Sequence, residues 1–249
     1  MVQASRRTGF TGSPLVRLLS GLTDSDVGQP RQTTAERLSQ WFGWTDDISL
    51  SAALNAGPAS SLSRAKASSS AEEAECARVR AALTKAIASD GAAGRGDPAD
   101  TTADFAPLRQ RYLARQQAME AGIGPLRSRL RTTLAGRSQA MARLAAVDVV
   151  MEQVLAAQER SLLSGVPALL EKRFKRLRQA AREAQADQAT EQAADQTTPD
   201  QPSGSGTRPA PAWQDVFHKD LQDVLLAELD FRFQPVEGLL EALRMKQPG

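Results

Sequence analysis

The sequence is poor in the residues that build reactive centres. Its 249 residues include one cysteine, Cys76, and one histidine, His218. A single cysteine excludes an internal disulfide framework and a cysteine-based zinc site, and a single histidine excludes a histidine cluster that binds metal or relays protons. Phosphate-binding glycine loops, zinc-protease helices and nucleophile elbows are also missing. We therefore expect no cofactor, no metal site, no small-molecule substrate and no enzymatic activity.

Large apolar and aromatic side chains are scarce as well. Apolar residues make up 41% of the chain, but 42 of them are alanine, and aromatic residues contribute only 4%. Alanine favours helices and buries little area per residue. No apolar run approaches the ~20 residues that span a bilayer, and the arginine pair at residues 6–7 is not followed by an export signal. The composition predicts a helical protein without a transmembrane segment, and we expect it in the cytoplasm.

Helix-start signals occur near the N-terminus. Ser13 before Pro14 is typical of a helix N-terminus. The sequence from Thr33 to Glu36 forms a capping box and predicts a second helix that ends before Gly43. A third helix is predicted to begin at residue 45 and to end near residue 55.

Helix-breaking residues divide the rest of the chain. Three long helices are predicted between residues 105 and 186, with breaks at 122–125 and 165–167, and Pro235 is predicted to split the C-terminal segment into two helices. Because amphipathic stripes need partner helices, we expect an all-α fold. Its long amphipathic helices would form an elongated bundle or coiled-coil-like arrangement, with a disordered linker before a C-terminal helical segment.

Composition also indicates the domain organisation. Residues 183–212 contain no Val, Ile, Leu, Met, Phe, Tyr or Trp, so this stretch is predicted to be a low-complexity linker, helical at its start. We expect an N-terminal three-helix module over 8–55, a linker over 56–70, a long-helix basic region over 71–182, this second linker over 183–212, and acidic C-terminal helices over 213–246.

Charge is unevenly distributed, although the net charge is only +2. Residues 108–182 carry 15 basic and 5 acidic side chains, whereas residues 183–249 carry 5 basic and 12 acidic side chains. The basic side chains of the centre form the candidate interaction surface: Arg127, Arg129, Arg131, Lys172, Arg173, Lys175, Arg176 and Arg178.

Three interpretations of this basic centre remain open. Its helices can pack beside the acidic C-terminal helix, where residues such as Asp220 and Asp230 supply opposite charge. They can instead bind nucleic acid or an acidic protein, since arginine holds phosphates and carboxylates bidentately. They can also lie on a membrane surface.

Three aromatic residues, Trp41, Phe42 and Trp44, lie together near the end of the second predicted helix. They either form the core of the N-terminal region or anchor a partner. His218 lies on an acidic amphipathic helix, and we expect it at the surface. Acidic neighbours of Cys76 disfavour its thiolate, so we expect an inert thiol.

Two regions of the sequence resemble a known family. Residues 7–19 (RTGFTGSPLVRLL), 35–41 and 44–46 resemble an uncharacterised proteobacterial family called domain of unknown function 3348, and residues 217–243 are similar as well. The resemblance implies no catalytic residues. It implies a soluble accessory of an envelope proton-channel type complex, which is an association and not a chemical argument.

These observations favour a non-enzymatic helical scaffold or interaction protein that binds a protein partner or itself. The alternative is a nucleic-acid-associated protein that uses the basic central helices.

Overall fold

The computed structural model describes residues 13–23, 34–55, 69–93, 104–195 and 213–245. These residues form helices and no strands, which confirms the all-α prediction. The helices are α1 (Pro14–Thr23), α2 (Thr34–Trp41), α3 (Trp44–Asn55), α4 (Ser69–Ala93), α5 (Ala106–Ala135), α6 (Gln139–Leu163), α7 (Val166–Asp195) and α8 (Trp213–Arg244).

The C-terminal helix α8 is the centre of the fold. It packs against α1, α4, α5 and α7, and apolar side chains recur along its length at helical spacing. Phe217 and Phe233 of α8 are almost fully buried, as are Met119 and Leu130 of α5. Most of the buried large apolar side chains in the described ranges therefore belong to one core around α8.

The predicted helix break at residues 122–125 is wrong, because α5 continues through Pro125. Proline removes one backbone hydrogen bond, but Ile123 and Leu126 on either side of it are buried in the core and hold the helix in place. The helix ends instead at Ala135, followed by Gly136, and Ser138 caps the start of α6 by accepting a hydrogen bond from the Met141 amide at 3.3 Å.

Pro235 does not divide the C-terminal segment either. It lies inside α8, where the neighbouring side chains of Phe233 and Val236 are buried. The predicted break at residues 165–167 is confirmed, since α6 ends at Leu163 and α7 begins at Val166. Tertiary burial therefore overrides the proline signal inside the two helices that form most of the core.

The first three helices pack at two separate places. Helix α1 contacts α7 and α8, whereas α2 and α3 contact α6. This arrangement differs from the single three-helix module expected over residues 8–55. Ser13 caps α1 as predicted, with its Oγ 3.4 Å from the Val16 amide. At the start of α3, Asp46 Oδ2 accepts a hydrogen bond from the Gly43 amide at 2.9 Å.

Helices α2, α3 and α6 share a small apolar cluster of their own, and we call these three helices the α6 lobe. Ala53 of α3 packs there with Val150 and Val154 of α6, and this cluster is separate from the main core. The α6 lobe is therefore a distinct packing unit that meets the main core chiefly through the α5–α6 interface.

The predicted linkers lie mostly outside the described residues. Helix α7 extends to Asp195, which agrees with a helical start of the segment 183–212. Residues 56–68 and 196–212 lie outside the described ranges, as does Thr33 of the predicted capping box. None of the described helices combines the length and the apolar character needed to cross a membrane.

Candidate interaction surface

Two arginines of the predicted surface, Arg127 and Arg131 on α5, face α6. Arg127 Nη2 lies 2.6 Å from Asp148 Oδ1, and Arg131 Nε lies 2.6 Å from Asp148 Oδ2. Arg131 Nη2 also lies 2.7 Å from Glu152 Oε2. The side chains of Arg127, Arg131 and Asp148 are only 13–14% exposed. The pairs with Asp148 are therefore largely withdrawn from solvent in the α5–α6 interface, whereas Glu152 is 37% exposed.

The ionised state of Asp148 is stabilised by these arginines. Burial acts to raise the pKa of Asp148, but hydrogen bonds from Arg127 and Arg131 outweigh burial and hold the pKa below its ordinary value of 3.8. The carboxylate thus stays charged at neutral pH and fixes α6 against α5.

Arg129 points to a different neighbour of α5. Its Nε lies 3.1 Å from Glu72 Oε2 on α4, and Thr133 Oγ1 lies 3.3 Å from the other Glu72 oxygen. Glu72 is buried, so the pair satisfies a carboxylate that would otherwise be costly to bury. Arg129 thereby joins α4 to α5.

The basic residues of α7 are divided between pairing and exposure. Arg173 Nε lies 2.8 Å from Asp220 Oδ2 on α8, which is the predicted pairing with the acidic C-terminal helix. Arg176 donates to the carbonyl oxygen of Leu22 at the end of α1, where a cation complements the helix dipole. Asp230, the other acidic residue expected to pair with the basic centre, pairs with Arg80 of α4 instead.

Lys172 and Lys175 point outwards from α7, and Arg178 is half-buried. Lys175 Nζ lies 2.7 Å from Glu171 Oε1 one turn earlier on the same helix, a surface pair that contributes little to stability. The structure therefore does not bring the eight predicted basic residues together on one face. They are distributed over interfaces with α1, α4, α6 and α8 and over the outer face of α7.

The three N-terminal aromatic residues differ in how far their side chains are buried. Trp41 and Phe42 are half-buried and pack on the apolar cluster of the α6 lobe. Trp44 is 80% exposed. Ile48, one helical turn after Trp44 on α3, is 55% exposed, and residues four apart lie on the same face of a helix. We call Trp44 and Ile48 the α3 patch.

A second set of exposed apolar side chains lies on α6. Leu144 is 41% exposed and Leu162 is 71% exposed. Their spacing of 18 residues corresponds to five helical turns, so both point to the same side of α6. The half-buried Met151 and Leu155 lie between them on that side. Helix α6 therefore has an apolar stripe whose middle is half-buried and whose two ends, Leu144 and Leu162, are exposed.

A buried polar network lies where α5 meets α8. Tyr112 Oη donates to Glu228 Oε2 at 2.5 Å, and Gln116 Nε2 donates to Glu228 Oε1 at 2.9 Å. Arg232 Nε lies 3.0 Å from the same Glu228 oxygen. The Glu228 side chain is fully buried. Burial of Tyr112 raises the pKa of its hydroxyl group, and the negative charge of Glu228 adds to this rise. We call these four residues the Glu228 network.

Comparison with known proteins assigns the chain to a family. The model of the family described as "Protein of unknown function (DUF3348)" matches residues 1–245. The chain belongs to the DUF3348 family. No curated protein and no solved structure matches it. The predicted resemblance is therefore confirmed over almost the whole length of the chain, and it brings no assigned activity with it.

The two isolated reactive residues of this DUF3348 member are both buried. Burial is the main reason that the pKa of Cys76 rises to about 11, and the charge of Glu72 adds to it, so the thiol remains protonated at neutral pH. His218 was expected at the surface but is buried beside Phe217, because it lies on the core side of α8. Within the described ranges, no three His, Cys, Asp or Glu side chains converge to hold a metal ion.

The Glu228 network and Ile48 of the α3 patch were not predicted from the sequence, although Trp44 was named as a possible anchor. A signal for the network does exist, because Glu228 follows Leu221 and Leu225 on the same helical stripe, where an apolar residue is expected. The exposure of Ile48 carries no such signal. The sequence of α3 is apolar on several sides, so which face it turns to α6 depends on tertiary packing.

Proposed function

We propose that this DUF3348 member is a non-enzymatic interaction protein that binds a protein partner, or a second copy of itself, through the α3 patch. The main support for this proposal is that Trp44, on an ordered helix, is 80% exposed. Trp41 and Phe42 next to it are packed, so the exposure of Trp44 does not reflect a loss of local structure.

An exposed tryptophan beside an isoleucine is typical of a binding anchor. Tryptophan is enriched among the interface residues that contribute most to affinity, and removing such a residue costs about 2 kcal/mol or more. Ile48 lies one turn away and extends the same apolar surface. The position of this patch on a helix supports a partner that receives a helix face in an apolar groove.

The burial of the reactive groups also supports a non-enzymatic role. Cys76 has a raised pKa, and His218 is enclosed by the core. The polar atoms of the Glu228 network are engaged with one another. None of these groups supplies an accessible nucleophile or base to a substrate.

The test is affinity purification of the tagged full-length protein from its native host, with light scattering to measure self-association. The variant Trp44→Ala/Ile48→Ala should lose a captured partner or a discrete oligomer, with a decrease in affinity of roughly 30-fold or more. Mass spectrometry of the captured proteins also tests the envelope proton-channel type complex that the family resemblance implies.

Leu113→Ala provides the matched control, because Leu113 is also an exposed apolar residue but lies on α5. This control should bind as the unchanged protein does, and circular dichroism should show equal helix content in all variants. Unchanged binding by the double variant contradicts the proposal. A strictly monomeric protein that captures nothing contradicts it too.

The outer face of α7 supports a second candidate function, association with nucleic acid. Lys172 and Lys175 are exposed there, but Arg127, Arg131 and Arg173 of the same predicted surface are held in interhelical ion pairs. A nucleic-acid interface predicts binding that weakens steeply with salt. Substitution of Lys172 and Lys175 by Gln should then reduce the mobility shift of DNA or RNA.

A further inference from the structure

Three carboxylates share one guanidinium where α5, α6 and α8 meet. Arg232 Nη1 lies 2.8 Å from Glu159 Oε1 of α6 and 3.6 Å from Glu120 Oε1 of α5. Arg232 Nε lies 3.0 Å from Glu228 Oε1 of α8, and the Arg232 side chain is only 9% exposed. One positive charge therefore faces three negative charges, and only Arg232 and Glu228 among these four side chains are almost closed to water.

The carboxylates differ in how well they are compensated. Glu228 accepts hydrogen bonds from Tyr112 and Gln116 as well as pairing with Arg232. Glu159 has Arg232 as its one ion-pair partner within the described ranges, and it must share that partner. Glu120 is 52% exposed and is stabilised by water. Glu159 is thus the carboxylate whose charge is least compensated.

We propose that the α6 lobe docks on α5 and α8 with uptake of a proton by Glu159. Protonation of Glu159 removes one of the three negative charges, so that Arg232 pairs mainly with the buried Glu228. Helices α2 and α3 pack on the other side of α6, at Val150 and Val154. The charged groups that act on Glu159 come from the two helices it faces, Arg232 and Glu228 from α8 and Glu120 and Arg127 from α5.

The pKa of Glu159 supports this direction. Burial raises it above its ordinary value of 4.5, and the charges of Glu228 and Glu120 add to the rise, while Arg232 and Arg127 oppose it. A carboxyl group with a raised pKa in the docked state contributes its full stabilisation below pH 4.5. That contribution is lost as the pH rises through the pKa of the docked state.

The packing of α6 makes such a movement feasible. The α6 lobe has its own apolar cluster, separate from the main core. Along α6, only Met141, Ala145 and Leu163 join the main core, and they lie near the two ends of the helix. Between them, ion pairs of Asp148, Glu152 and Glu159 join α6 to α5 and α8. Charge in this middle section therefore contributes to how tightly the lobe docks.

Hydrogen exchange of the full-length protein, corrected for the intrinsic effect of pH, tests the proposal. The opening constant of α6 should rise as the pH is increased from about 4.5 towards neutrality, by up to about tenfold for each unit by which the docked pKa exceeds its ordinary value. Glu159→Gln should abolish most of this rise and should open less than the unchanged protein at the upper pH.

Two further variants separate the roles of the neighbouring groups. Glu120→Gln should shift the rise to lower pH, because it removes one of the negative charges near Glu159. Glu152 pairs with Arg131 and not with Arg232, so Glu152→Gln should leave the pH dependence of α6 opening in place. An unchanged pH dependence in Glu159→Gln overturns the proposal, as does wider opening of that variant at about pH 7.5.

Discussion

Removal of Arg232 is the most informative perturbation of the core. Arg232→Met keeps the apolar stem of the side chain and deletes its charge. The fully buried carboxylate of Glu228 then loses its cation, and Glu159 loses its ion-pair partner. The expected effect is therefore larger than the loss of one contact, because a buried charge remains without compensation.

The magnitude follows from burial. Breaking a buried ion pair by removing one partner costs about 3–5 kcal/mol. Tyr112 and Gln116 still donate to Glu228 after the substitution, so we expect the lower end of this range, about 3 kcal/mol. That is a large part of a total stability on the order of 5–15 kcal/mol.

The assay is urea unfolding at neutral pH, followed by the far-ultraviolet circular dichroism of the helices. A double variant, Arg232→Met/Glu228→Gln, provides the second measurement. It removes both buried charges, so it should recover at least half of the stability that Arg232→Met loses. A loss below about 1 kcal/mol in the single variant would show that Glu228 does not depend on Arg232 for its compensation. A double variant that loses the sum of both single effects would show the same.

Two more predictions concern ionisation. Asp148→Asn should cost about 2 kcal/mol at neutral pH, since it removes charged hydrogen bonds to Arg127 and Arg131. Folding lowers the pKa of Asp148, so the stability that its carboxylate contributes is lost as the pH falls below the ordinary pKa of 3.8. The difference in unfolding free energy between Asp148→Asn and the unchanged protein should therefore shrink at low pH. A difference that stays constant with pH would contradict the pairing. The Cys76 thiol, with its pKa raised to about 11, should react with a disulfide reagent far more slowly than in the unfolded chain, and equal rates would contradict its burial.

Local signals in the sequence predict the helix ends well where water can reach them. Ser13 caps α1 as its position before Pro14 indicates, and α2 ends at Trp41, two residues before Gly43. At the start of α1 the Val16 amide is satisfied by the nearby Ser13 side chain, so the local sequence contains the information that decides where the helix begins.

The same signals fail inside the core. Pro125 and Pro235 are typical helix breakers, but each lies within a helix whose neighbouring residues are buried against other helices. The energy that holds these helices together comes from residues distant in the sequence, which a local pattern does not register. The placement of α8 at the centre of the fold has the same origin.

The candidate surface could be predicted only in part. An excess of basic residues in the centre was evident, but Asp148 and Glu152 lie close to the arginines in space and 17 to 25 residues away in the chain. Pairing depends on how α6 folds back onto α5. The exposure of Trp44 depends likewise on which face of α3 turns towards α6.

Binding of a partner by the α3 patch is best examined by comparing partner capture by the unchanged protein and by Trp44→Ala. We expect the unchanged protein to purify from its host with a specific protein, or as a discrete oligomer, and Trp44→Ala to lose that association while keeping its helix content. Equal capture by both proteins would show that the α3 patch is not a binding site, as would an unchanged protein that remains monomeric and captures no partner.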